Sequence, residues 1–269
     1  MSKTIGVISI KGGVGKTTIS TSLAADLANH YQKKVLLIDA NYSAPNLGLH
    51  MDIVTPEKTI HQVLDHKTRL QNSIHKKFGV DVIPGNYVYN PQLNYLKLKD
   101  MIKRAKENYD FVILDSSPSL NDEILSTILA SDNLFVVTTP DYPTLSCSIT
   151  AAKLAKQRGT PISGIIVNKI REPGYEITLK EIEDEIDIPV VARIPDDKTA
   201  IRSLFMRIPI PVYNRHSRFA KEISRLNAAL TNTPTKLSIF SKLLPMNFRK
   251  EEINRQLMKK SFYQRSFKE

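Results

Sequence analysis

Short runs of β-branched and aliphatic residues alternate along the chain with longer stretches whose apolar positions recur every three or four residues. Ile5–Ile10 is the first run, followed by Lys34–Asp39, Val80–Ile83, Phe111–Asp115, Leu134–Thr138, Ile162–Val167 and Val190–Ile194. The runs are nearly continuous in apolar residues. They therefore predict strands covered on both faces of a parallel sheet, since a strand wetted on one face would alternate. Between them, 17–31, 95–108, 121–131, 144–158 and 176–185 predict helices, and a last one is expected at 217–230. Asn121 and Thr144 stand where N-caps belong, and Gly159 where a helix stops. The alternation predicts an α/β fold with a doubly wound, mostly parallel sheet and helices on both faces. Thr231–Lys236 reads as a linker. The expected division is a domain over 1–232 and a tail over 233–269.

Residues 11–18 are Lys-Gly-Gly-Val-Gly-Lys-Thr-Thr, placed after a predicted strand and at the start of a predicted helix. That is the context a phosphate-binding loop requires. Gly12, Gly13 and Gly15 let the backbone turn tightly. The N–H groups of this loop, including those of Val14 and Thr18, can then face an anion, helped by the helix N-terminus. Lys16 is placed for the β and γ phosphates, and the Thr17 hydroxyl for Mg²⁺. Asp39 and Asp115 each end a predicted strand, where a doubly wound sheet gathers its ligands. They join Thr17 as the expected metal residues.

Lys11 adds a second lysine at the start of the loop. With it, the motif resembles the deviant Walker A motif of the MinD/ParA family, and the resemblance continues over residues 3–230. It implies an ATPase that uses ATP/ADP and Mg²⁺ and forms a homodimer with ATP bound. Lys11 becomes the lysine that reaches the partner subunit's nucleotide. Asp115 resembles the Walker B aspartate, and Asp39 the first aspartate of switch I. Relatives usually carry a second aspartate two residues later, linked to positioning the attacking water. This chain has Asn41 there. An amide can orient water but cannot take its proton. Slow hydrolysis is therefore expected. Asp115-Ser-Ser-Pro-Ser119 matches switch II loosely. Asn168 is expected to hydrogen-bond the adenine edge, flanked by Pro195 and Asp196. Taken alone, it is an ordinary strand-end residue. Asn168-Lys169 is not followed by the aspartate of a guanine-reading Asn-Lys-x-Asp.

Charge and composition narrow the rest. The single cysteine, Cys147, excludes an internal disulfide and argues against a metal-cluster carrier built on paired cysteines. No run of eighteen apolar residues suggests a membrane span, and the N-terminus enters a strand too soon for a signal peptide. A cytoplasmic location is expected, with peripheral contact at the inner face of the cell membrane as an extension of it. The net charge is +11, and residues 236–269 hold nine Lys/Arg against three Asp/Glu. More than half of the excess thus sits in the tail.

Within that tail, Ile239, Phe240, Leu243 and Leu244 share a helical face. Ile253, Leu257, Met258 and Phe262 form a second stripe, opposite Lys250, Arg255 and Lys259. A basic amphipathic tail suits an anionic membrane surface, as in MinD-like relatives. Docking on the chain's own core, on a regulatory protein partner or on nucleic acid stays open. The leading expectation is a MinD/ParA-like ATPase switch that serves spatial regulation such as cell division or protein positioning. The alternatives are a ParA-like DNA-partition ATPase, favoured by Arg202, Arg207, Arg215, Arg218, Lys221 and Arg225, and a slow or non-hydrolysing nucleotide sensor.

Overall fold

The computed structural model describes residues 2–87, 96–171, 174–233 and 250–264. Eight strands form one sheet: β1 (Lys3–Ile8), β2 (Val35–Ala40), β3 (His75–Lys77), β4 (Val80–Ile83), β5 (Phe111–Ser116), β6 (Asn133–Thr138), β7 (Ile162–Ile170) and β8 (Val190–Pro195). Their order across the sheet is β3-β4-β2-β5-β1-β6-β7-β8, all parallel except the short edge strand β3. The chain thus winds outward in both directions from β1, which leaves the ends of β1, β2 and β5 together at one edge. All seven predicted strands are present. β3 was not foreseen, because its sequence, His-Lys-Lys, carries no apolar signal.

Each central strand sends alternate residues to opposite faces. Ile5, Val7, Val35, Leu37, Ile113, Phe135 and Val137 enter one core, whereas Leu36, Ile38, Val112, Leu114, Leu134 and Val136 enter the cores on the other side. Both sets are buried, which is why the runs read as continuous rather than alternating.

The principal helices are α1 (Lys16–Asn29), α4 (Lys97–Ala105), α5 (Asp122–Ala130), α6 (Tyr142–Gln157), α7 (Leu179–Ile186), α8 (Lys198–Met206), α10 (Arg218–Leu230) and α11 (Lys250–Gln264). Short turns of helix, α2 (Leu47–His50), α3 (Ile60–Leu64) and α9 (Ile210–Tyr213), lie between them. No helix among the described residues is long and apolar enough to cross a membrane. Asn121 caps α5 as expected, accepting from the N–H groups of Glu123 and Ile124. The cap expected at Thr144 belongs instead to Asp141, whose Oδ1 accepts from Thr144 N at 2.9 Å. Pro143 follows in the first turn, where a missing N–H costs nothing.

The tail is the larger correction. The Leu237–Leu244 stripe lies outside the described residues. The second stretch forms α11, which packs on β8 and α10 and buries Met258 and Phe262 in the core that holds α1. Its buried face is Glu251, Asn254, Arg255, Met258 and Phe262, whereas Ile253 and Leu257 are exposed. The expected face was therefore rotated. Spacing alone placed Arg255 outward, but the groove beside β8 carries polar partners for it. Arg255 Nη1 donates to Val191 O at 2.9 Å and to Glu222 Oε1 at 2.8 Å. Asn254 Nδ2 donates to Glu183 Oε1 at 2.7 Å and to Val190 O at 2.8 Å. Lys250 pairs with Glu183, and Arg193 with Glu251. α11, which follows the expected boundary at 232, thus packs on the core.

Removing one partner of a buried ion pair leaves the other charged and desolvated. Arg255→Ala leaves Glu222 to the half-exposed Arg225 and takes a donor from the Val191 carbonyl, so it is expected to lower the unfolding free energy by about 3 kcal/mol in urea titrations. A loss within error would mean that α11 does not dock this way.

Candidate functional site

The loop between β1 and α1 depends on two glycines with left-handed backbone, Gly13 (φ 79°) and Gly15 (φ 95°). A Cβ at Gly15 would stand 2.4 Å from Asn168 Nδ2, so the close approach of β7 demands glycine there as well. No side chain caps the start of α1. Its first N–H groups remain available at the loop, the arrangement that binds an anion. Ser9 begins the turn, its Oγ accepting from Lys11 N at 3.3 Å, and β1 accordingly stops at Ile8 rather than running to Ile10.

The two lysines of the loop differ sharply. Lys16 is buried, and its Nζ donates to Lys11 O at 3.4 Å. Burial holds its pKa below the usual lysine value, against the pull of Asp115. The Lys11 side chain is exposed, as are Gly12 and Gly13, whereas Val14 is buried.

Asp39 and Asp115 are direct neighbours across β2 and β5, and both are fully buried. Asp39 already uses both oxygens. Oδ1 accepts from Asn41 N and Oδ2 from Leu47 N, each at 3.1 Å. These bonds fold residues 41–47 over the strand end. Asp115 Oδ1 accepts from Ser20 Oγ at 2.9 Å, while Oδ2 is buried with no hydrogen-bond partner among the described residues. Burial raises the pKa of both carboxyls, and the charge of Asp115 raises that of Asp39 further. The Thr17 hydroxyl donates to Asn46 Oδ1 at 3.0 Å. An orphaned carboxylate oxygen, a second buried carboxylate and a hydroxyl on the helix that starts at the loop fit a hard divalent cation such as Mg²⁺. Asp115 and Thr17 offer the more available atoms. Asp39 is committed to the loop.

Asn41 is buried in that loop. Its Nδ2 donates to Ala44 O, and its Oδ1 is buried without a partner among the described residues. On the other side, the end of β7 holds the phosphate loop from behind. Asn168 Nδ2 donates to Val14 O at 2.8 Å, and Lys169 Nζ to Gly13 O at 2.7 Å. Lys169 adopts a left-handed φ of 58°, a conformation uncommon for a long side chain. The Asn168 amide is thus oriented by the loop, its nitrogen spent on Val14. Beyond it, Pro195 ends β8, and Asp196 accepts from Arg171 Nε at 2.5 Å. Thr18 faces away, toward α8 and α9. A cavity of about 360 Å³ lies between the loop, Thr139–Asp141, Lys169 and Tyr175.

The structure therefore brings Lys11, Lys16, Thr17, Asp39, Asn41 and Asp115 to one sheet edge, with Asn168 behind the loop. Sequence reasoning missed Ser20, Asn46 and Lys169. Ser20 lies one helical turn after Lys16, a spacing that marks it as facing the same way. For Asn46 and Lys169 the sequence carries no signal.

An aspartate with a raised pKa weakens folding above the unfolded value of 3.8, and the penalty vanishes below it. Asp115→Asn removes a buried charge and its repulsion with Asp39, and the remaining oxygen can still accept from Ser20. It is expected to raise the melting temperature of the nucleotide-free protein at pH 7 by about 2 °C or more. The gain should shrink as the pH falls from 7 toward about 4 and be lost below it. Calorimetry across that range checks this, and an equal effect at pH 3 and pH 7 would contradict it.

Comparison with known proteins agrees with this geometry. A family model described as an AAA domain matches residues 2–152. An uncharacterized ATP-binding protein of Methanocaldococcus jannaschii is 30% identical over 236 residues, covering 86% of this chain and 88% of that protein. The septum site-determining protein MinD of Thermotoga maritima is 28% identical over 240 residues, covering 84% and 87%. Among solved structures, the cell division ATPase MinD of Pyrococcus furiosus superposes with a TM-score of 0.81 at 27% identity, covering 87% of this chain and 100% of that one. MinD of Pyrococcus horikoshii, solved with Mg-ADP, gives 0.81 at 27% identity, covering 89% and 98%. With the two-lysine phosphate loop and the paired strand-end aspartates in place, the chain belongs to the MinD/ParA family of P-loop proteins.

Proposed function

We propose that this protein is a nucleotide-driven switch that binds Mg-ATP at the loop 11–18, pairs with a second copy around the nucleotide, and is reset by hydrolysis. The observation that carries the reading is the division of labour between the two lysines. Lys16 is buried beside Asp115, placed for the nucleotide of its own chain, whereas Lys11 leaves the same loop exposed. A cation at the rim of an anion site is suited to reach a phosphate brought in by another subunit. The Mg-ADP found in the Pyrococcus horikoshii relative supports the choice of nucleotide and metal.

Several residues support the parts of this cycle. The phosphates would rest on the N–H groups of the loop and of α1. Thr17 and Asp115 would hold Mg²⁺, which neutralises phosphate charge. Asp39 would carry the rearrangement of 41–47, since its two bonds already fix that loop. Asn168, with its nitrogen bound to Val14, would offer Oδ1 as an acceptor. An acceptor suits the 6-amino group of adenine and repels the 6-oxo group of guanine. Asn41 Oδ1 would orient the attacking water without accepting its proton, so turnover is slow. Spatial regulation, such as cell-division or protein positioning through a regulatory partner, is the process this cycle would serve. Membrane contact through Leu237–Leu244 stays part of the proposal, from a cytoplasmic protein at the inner face of the cell membrane. A DNA-partition role is the second reading, and the arginines from Arg202 to Arg225 favour it.

Two variants test the cycle. Lys11→Ala is expected to retain ATP binding by titration calorimetry yet remain monomeric in light scattering with Mg-ATP. Dimerisation equal to the parent would remove Lys11 from the crossing role. Asn41→Asp is expected to raise basal phosphate release about five- to tenfold, a barrier change of roughly 1–1.4 kcal/mol. A fall in turnover would show that water is positioned by another group.

A further inference from the structure

The described surface carries one concentration of exposed apolar side chains that neither the nucleotide site nor the core uses. It lies on α8 and α9. Ile201, Leu204 and Phe205 share one face of α8 by their spacing, and Met206, Val212 and Tyr213 continue it. Phe205 is 85% exposed and Ile201 71%. These are not frayed ends. Ser203 is buried on the opposite face of α8 and bonds Ile208 O. Ile210 is buried in the main core, and α9 packs on α1. Arg207 closes α8 in a left-handed conformation at φ 57°, which turns the chain directly into α9. The apolar side chains are thus presented outward on a fixed support.

Charge selects the partner. From Lys198 to Lys221, twenty-four residues include six Lys/Arg and no Asp/Glu. Arg202, Arg215 and Arg218 form no ion pair among the described residues, and Arg207 reaches only Asp52 at 4.0 Å. The patch therefore joins projecting apolar groups to unneutralised cations within the same few turns. A nucleic acid would satisfy the arginines but would leave Phe205 and Ile201 against phosphates and water. An anionic bilayer satisfies both at once. Its headgroups meet the arginines, and the boundary with the acyl chains takes up Phe205, Ile201 and Leu204. Such a layer is deformable, so projecting side chains need no preformed pocket to receive them.

We infer that α8 and α9 form a membrane-contact surface that seats the protein on anionic lipid through Phe205, Ile201 and the surrounding arginines. Its residues lie apart in sequence from Leu237–Leu244, so substitutions distinguish the two candidate contacts. It also lies beside the nucleotide edge, since Asp197, which caps α8, directly follows Pro195 and Asp196.

Co-sedimentation of the full chain with vesicles of phosphatidylcholine alone, or with phosphatidylglycerol added, tests the surface. The parent protein should bind the anionic vesicles at least tenfold more strongly, and less so as salt rises. Phe205→Glu should reduce that binding at least tenfold with an unchanged melting temperature and ATP affinity, because the side chain touches no core. Arg202→Glu should act in the same direction, whereas Phe240→Glu should leave most of the binding intact. Vesicle binding that survives Phe205→Glu overturns the proposal, as does loss on Phe240→Glu alone, which would assign the contact to the tail. Two further results also overturn it. One is a parent protein that ignores vesicles but binds duplex DNA through these arginines. The other is one that ignores vesicles but loses ATP-dependent dimerisation on Phe205→Glu, which would make the patch a subunit interface.

Discussion

Two aspartates buried side by side at the end of a sheet set the terms for the rest of this molecule. Asp39 and Asp115 face each other across β2 and β5 with one buried lysine, Lys16, near them. Burial disfavours both charges, and each makes the other less favourable. A core this charged persists only if nearby groups share the load. Ser20 serves Asp115, and the N–H groups of Asn41 and Leu47 serve Asp39. One oxygen of Asp115 remains unpartnered. The negative excess is an expense of folding that a divalent cation would relieve. Stability and ligand binding are therefore coupled at this edge.

The same edge is braced from the other side. Carbonyls of the phosphate loop are bonded on its far side. Two of them, on Gly13 and Val14, are held by Lys169 and Asn168 at the end of β7. Bonds to these carbonyls fix the peptide planes and hence the direction of the opposing donors. The left-handed φ of Lys169 is the local strain that lets two successive side chains reach two successive carbonyls. Preorganised donors spend little free energy on reorganising when the anion arrives.

Far from the site, α11 shows how a basic segment becomes structural. Polar side chains make up much of its buried face, so its position is fixed by paired hydrogen bonds as well as by area. Arg255 meets Glu222 and the Val191 carbonyl, and Asn254 meets Glu183 and the Val190 carbonyl. Docking that depends on matched polar partners is specific, because a shifted register would bury each of them unpaired. The positive charge counted in the tail is partly consumed in these pairs, whereas Arg202, Arg215 and Arg218 form no ion pair among the described residues.

The sequence by itself determined the sheet, its chief helices and the phosphate loop. Apolar runs with buried periodicity, and a glycine-lysine motif between strand and helix, are local patterns imposed by backbone sterics and by the hydrophobic effect. It also put Asp39 and Asp115 at the ends of buried strands, where an apolar run closing on a carboxylate is itself a local pattern. It failed where the answer depended on groups distant in the chain. Spacing turned Arg255 toward solvent, since nothing near it in sequence announces Glu222. Nothing local marks Lys169 as a brace on Gly13, or divides the oxygens of Asp39 between Asn41 and Leu47. No predicted helix covers Phe205, and only the packing of Ser203 and Ile210 decided that it points outward. Local pattern fixes which elements form. Which face each one buries, and which polar atoms meet there, is decided only when the elements close on one another.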